Sequence, residues 1–158
     1  MHVLLTGAAG FVGRVALELL NERHQVTAFD IQNVESTSAI VGDVLDYTTV
    51  ITAMQGIDAV VNTIMAPNPT YGENGPGFTV NVSGMYNLLE AARVHGIKRF
   101  VHTSSGAVHG GYPQPPETFL HHDLYPLKAR WPLCAFEIAT RGIGMEFSRS
   151  AWDVDCGD

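Results

Sequence analysis

Cysteine is scarce: Cys134 and Cys156 are the only two in 158 residues, and their separation fits neither a disulfide framework nor a metal-ligand pattern. They read as free thiols in a reducing compartment. Basic residues are also few. Nine Lys and Arg stand against sixteen Asp and Glu, giving a formal net charge of -7 with no basic run. That balance argues against nucleic acid or an anionic membrane as the main partner. No apolar run reaches spanning length and the N-terminus carries no basic leader, so the expected location is the cytoplasm. Internal repeats and low-complexity tracts are absent too. What the chain does have is apolar content, 46% of its residues, enough for one globular domain with a sizeable core and too little for a second of comparable size.

The most informative stretch lies at the start. Val3, Leu4 and Leu5 form a short apolar run ending in Thr6-Gly7, and Val12, Val15, Leu19 and Leu20 then follow helical spacing, so the chain reads strand, tight turn, helix. Three glycines shape the turn. Gly7 permits backbone angles that a β-carbon forbids, Gly10 lets the backbone approach a ligand, and Gly13 lets the helix pack closely on the strand. Unpaired N–H groups and the positive end of the helix dipole then face whatever lies in front, which suits a pyrophosphate.

Gln25 to Asp30 alternates, ends in an acid and reads as the second strand. Asp30 lies about twenty residues beyond Gly10, where a dinucleotide fold places a carboxylate on the adenosine ribose. A carboxylate there repels a 2′-phosphate, and Ile31, Gln32 and Asn33 offer no cation to reverse the preference, so NAD is expected over NADP. Ala39 to Asp43 reads as a third strand, and Asp46 caps a helix running through Met54. Asp58 to Ile64 has the continuous apolar character of a strand buried on both faces. Met65 to Gly77 is a loop at the carboxyl edge of the sheet, where ligands bind. Phe78, Val82, Met85, Leu89 and Ala92 step along one helical face, and Lys98 to Ser104 forms the fifth strand. The alternation predicts an α/β, Rossmann-type doubly wound parallel sheet of strand order 3-2-1-4-5 with helices on both faces. Tyr112 to Pro126 is irregular. A last amphipathic helix is expected from Trp131 or Pro132 to about Phe147, leaving Trp152 to Asp158 as a stub.

Four segments together resemble a known family. Thr6 to Gly13, Gly42-Asp43-Val44, Asn81 to Ala92 and Arg99 to Gly110 are similar, in order and spacing, to the extended short-chain dehydrogenase/reductases, the NAD-dependent epimerases and dehydratases. The resemblance implies that Gly7, Gly10 and Gly13, with Phe11 and Val12, hold the pyrophosphate of NAD. It implies that Asp30 holds the adenosine ribose, and Asp43 and Val44 the adenine. Asn81 matches the helix asparagine that orders the family's active site and proton relay, and Ser105 the residue that hydrogen-bonds the reacting hydroxyl or carbonyl. The implied substrate is a nucleotide sugar or a similar hydroxyl compound, with no metal. A homodimer is also implied, for which Met85, Leu88, Leu89, Leu133, Phe136 and Ile138 are candidates; the same residues equally suit packing on their own sheet.

The chain departs from the family in two places. The family's paired tyrosine and lysine, four residues apart on one helix face, align with Leu133 and Glu137. Leucine cannot move a proton, and glutamate reverses the charge. Tyr125 and Lys128 have the wrong spacing with Pro126 between them, His109 reads as a loop histidine, and His121-His122-Asp123 as a solvated loop. The second departure is length: family members continue for about as many residues again, so residues 1–158 are expected to form the NAD-binding domain without the substrate domain, with an exposed sheet edge after the fifth strand. Two readings remain open at this point, an NAD-dependent epimerase, dehydratase or oxidoreductase, and a non-catalytic NAD-binding module.

Overall fold

The computed structural model describes residues 1–66 and 77–104 with their side chains, and Pro76, 146–147 and 153–155 by their backbone. Ser105 and the positions at 109, 121–123, 125, 128, 133, 134, 136–138 and 156 lie outside the described residues. The elements follow in the order β1 (His2–Thr6), α1 (Phe11–Asn21), β2 (Gln25–Asp30), β3 (Ala39–Val41), α2 (Tyr47–Ala53), β4 (Ala59–Asn62), α3 (Pro76–Phe78), a π-helical segment (Thr79–Gly84), α4 (Met85–Val94), β5 (Arg99–His102), β6 (Glu146–Phe147) and β7 (Asp153–Asp155). Strands β3-β2-β1-β4-β5 are parallel neighbours in that order, as expected.

Register divides the core into two. Leu4 pairs with Thr27 and Val60, and Leu5 with Ala28 and Val61, so successive residues of β1 enter opposite layers. Leu4, Phe29, Val60 and Phe100 pack with Val50, Met54, Leu88 and Leu89 of the α2 and α4 layer. Leu5, Val26 and Ala28 pack with Leu17 of α1. Full burial of such side chains contributes about 1.5–3 kcal/mol each. Strand β2 is buried on both faces over Val26 to Asp30 rather than half-buried, because both helical layers cover it.

Four details differ from expectation. In α1 the row facing the sheet is Gly13 and Leu17 with Ala16 and Leu20, whereas Val12, Val15 and Leu19 are half exposed. The residue without a β-carbon makes the closest approach, and the row through it faces inward. The helix after the 63–75 stretch is already under way at Pro76, and its π turn breaks the single face expected from Phe78 onward: Phe78 is half exposed while Met85, Leu88 and Leu89 are buried on their own sheet. Glu146–Phe147 is strand, so the expected last helix does not extend that far. The parallel edge is also covered. Strand β7 pairs antiparallel with β5, Arg99 to Asp155 and Val101 to Asp153, and β6 pairs with β7. Backbone pairing needs no apolar sequence, so a short polar segment can satisfy the outer groups of β5.

Candidate dinucleotide site

The carboxyl ends of β1 to β4 converge on one cleft. Gly7, at φ +79°, turns the chain sharply out of β1, and its N–H donates to the Phe29 carbonyl at 2.9 Å. A β-carbon on Gly7 would stand 2.7 Å from the Thr63 hydroxyl oxygen, and one on Gly13 would collide with the Gly7 carbonyl oxygen. The turn therefore closes only with glycine at both positions. Gly10 is the N-cap of α1 and supplies no side-chain cap, so the first-turn N–H groups at Phe11 and Val12 have no side-chain acceptor from the cap residue. An anion in front of the helix satisfies them. The Phe11 side chain itself points to solvent at 91% exposure and Val12 is half exposed; what these residues offer a ligand is backbone.

Asp30 lies at the end of β2, 9% exposed. One carboxylate oxygen accepts from the Ala9 N–H and the other from the Gln32 N–H, both at 2.9 Å. The acid is thus latched to the glycine turn, and each oxygen keeps a lone pair for a further donor. From behind, the Arg14 guanidinium donates to the Ala9 carbonyl at 2.9 Å. Asp43 accepts from the Leu45 N–H and shapes the turn into α2, which Asp46 then caps through the Thr48 and Thr49 N–H groups. Hydrogen bonds from Thr49 and Thr48 hold the Asp46 carboxyl below the usual carboxylate range.

Gly7, Gly10, Asp30, Asp43 and Val44, with the stretch from Thr63 to Ala66, line a cleft of about 530 Å³. This lies within the usual range for small-molecule and cofactor sites. Asn81 stands one layer back. Its carbonyl oxygen accepts from the Ala66 N–H at 3.0 Å and its amide contacts the Met65 sulfur at 3.7 Å, so it fixes the 65–66 stretch rather than facing the main cleft.

The structure also assembles polar groups that sequence reasoning passed over. The Thr63 hydroxyl donates to the Thr6 and Gly7 carbonyls, tying β4 to the glycine turn. Thr6 donates to the Asn62 side-chain oxygen at 2.7 Å, and that oxygen also accepts from the Ile64 N–H, which sets the amide orientation. The Asn62 amide nitrogen therefore donates to Nδ1 of the buried His102 at 3.1 Å. The available signal was a polar pair, Asn62-Thr63, ending an otherwise apolar strand.

A family model described as the NAD dependent epimerase/dehydratase family matches residues 3–132. The L-arabinose 1-dehydrogenase (NAD(P)(+)) of Haloferax volcanii is 37% identical over 111 residues, covering 70% of this chain and 43% of that protein. The UDP-glucose 4-epimerase of Mycolicibacterium smegmatis is 29% identical over 172 residues, covering 99% of the chain and 54% of that protein. Among solved structures, a short-chain dehydrogenase/reductase superfamily protein from Agrobacterium tumefaciens with bound NAD is similar at a TM-score of 0.79 and 28% identity, over 90% of this chain and 44% of that one. The Thermus thermophilus UDP-glucose 4-epimerase in complex with NAD follows at 0.77 and 27%, over 91% and 51%. The chain spans about half, or less, of the length of these relatives.

Proposed function

Because the chain belongs to the NAD-dependent epimerase/dehydratase family, we propose that it binds NAD in the cleft in front of α1 and serves hydride chemistry on a nucleotide sugar or a similar hydroxyl or carbonyl compound. One observation carries this reading: the N-terminus of α1, with no side-chain cap, opens on a cleft whose rim holds the Asp30 carboxylate latched to the same glycine turn. Backbone N–H groups at Phe11 and Val12 would take the pyrophosphate, with Gly7, Gly10 and Gly13 making room for it. Asp30 would take the adenosine ribose, and Asp43 with Val44 the adenine. Held by these residues, NAD would supply the hydride acceptor and donor. Ser105 would hydrogen-bond the reacting group, and Asn81 would position the neighbouring stretch. The acid–base step cannot use Leu133, which carries no proton to give, so turnover is expected about 100- to 10,000-fold below that of a protein with the tyrosine. NAD affinity is expected to persist, since most of its predicted contacts lie in the first two strand–helix units, although Glu137 would weaken the nicotinamide end.

In the same reading residues 1–158 act as one nucleotide-binding unit in the cytoplasm and associate as a homodimer. The acidic balance agrees with a soluble partner, and no helix among the described residues is long and apolar enough to cross a membrane. Thermal melting tests the proposal. NAD at one hundred times its Kd should stabilise the fold by about 2.7 kcal/mol, and NADP at the same concentration by much less. A melt indifferent to NAD would overturn the cofactor assignment; a melt that NADP raises as much as NAD would overturn the role given to Asp30.

A further inference from the structure

We propose that Asn87 is a positioning residue that fixes the adenine-end wall of the cofactor cleft by holding the Val44 and Leu45 carbonyls against α4. This rests on the dinucleotide reading of the cleft and adds to it a residue with no assigned role. Val44 and Leu45 lie in the irregular turn between β3 and α2. Backbone carbonyls in such a turn have no ladder partner and need a donor from elsewhere. The Asn87 amide nitrogen lies 3.0 Å from the Val44 oxygen and 3.3 Å from the Leu45 oxygen. A carboxamide NH2 carries two N–H donors, one for each carbonyl. Of the other bonds of this turn, Asp43 to the Leu45 N–H and the Asp46 N–H to the Asp43 carbonyl are internal to it, and the Gly42 N–H to the Asp30 carbonyl anchors its first residue to β2. They set its shape and its start; Asn87 sets the place of Val44 and Leu45.

A second observation concerns the same helix. Gly84 stands three residues before Asn87, and a β-carbon on it would lie 2.5 Å from a Val44 methyl carbon. The helix therefore seats directly on Val44, whose side chain is 5% exposed and lines the cleft. Gly84 sets how closely the turn approaches the helix, and Asn87 keeps it there. A displaced turn would carry Asp43 and Val44 out of line with whatever lies between them and Asp30.

The test uses AMP, the adenine half of the dinucleotide, with NADH as a second probe. Asn87→Asp keeps the shape and removes the donor; Asn87→Ala removes both. Each should raise the Kd for AMP and NADH about fivefold, the loss of one or two net hydrogen bonds. Arg93→Ala, which breaks the exposed Glu90–Arg93 pair on the same helix, should weaken α4 and leave AMP affinity unchanged. A merely structural role would make the Asn87 variants behave like Arg93→Ala, shifting the melt and not the Kd. Unchanged AMP affinity in both folded Asn87 variants, or an equal loss in Arg93→Ala, overturns the proposal. On the unsubstituted chain, AMP should also slow amide exchange at Leu45 and Asp46, and unaltered exchange there likewise overturns it. A chain that binds NADH and AMP with indifferent Asn87 variants leaves the dinucleotide reading standing. One that binds neither overturns both together.

Discussion

A β-carbon at Gly13 would run into the Gly7 carbonyl oxygen, whereas one at Gly10 would stand 3.2 Å from the same atom, a contact that small shifts can relieve. The two glycines should therefore fail differently. Gly13→Ala is expected to cost about 1–3 kcal/mol of stability through forced backbone movement, read as a lower denaturant midpoint. Gly10→Val is expected to fold, since Gly10 has an extended backbone at φ -71° and ψ 169° open to any residue, and to obstruct the ligand. Asp30→Ala removes the proposed ribose partner and the latch on Ala9 together, so NADH affinity should fall by about 10- to 100-fold, the worth of charge-assisted hydrogen bonds. Discrimination against NADPH should fall with it, and paired titrations with the two cofactors would check both. Glycine spacing and the strand-end acid were legible because their meaning is local. Thr63 and Asn87 were not, because the atoms they hold lie 57, 56, 43 and 42 residues away, and only sheet register for Thr63 and the seating of α4 on the β3–α2 turn for Asn87 bring them together.

Helix α2 owes its start to Asp46, whose carboxylate accepts from Thr48 and Thr49. Those bonds hold its pKa below the ordinary value. A carboxyl depressed in the folded state contributes stability that is present above its unfolded pKa and is lost as pH falls through the folded pKa. Asp46→Ala should therefore lower the melting temperature at neutral pH and flatten its fall in acid below the ordinary carboxylate range, as melts across that range would show; an equal drop at every pH would contradict the assignment. The cap could be read in the sequence from an Asp ahead of a helical run. The π turn over Thr79–Gly84 could not, since its wider hydrogen-bond spacing leaves no compositional mark, and it rotates Phe78 out of the face that continues at Met85.

For the whole molecule, alternation of strands and helices with right-handed crossovers was enough to order the five parallel strands. The antiparallel β7 was missed because strand pairing uses backbone N–H and C=O groups that every sequence carries, so the polar run Asp153-Val-Asp155 gives no apolar signal of it. The same scale governs association. Met85, Leu88 and Leu89 are spent on their own sheet, so a homodimer built on α4 must use its outer face, where Tyr86 is 63% exposed. Tyr86→Glu is expected to shift a dimer to monomer in sedimentation, with NADH affinity unchanged.

Everything proposed depends on a working dinucleotide site in front of α1. NADH fluorescence titration of the purified chain beside Gly10→Val tests it most directly. Saturable enhancement is expected for the chain and none for a variant that melts cooperatively. A folded chain that leaves NADH fluorescence unchanged, or a variant that binds as well as its parent, would contradict it.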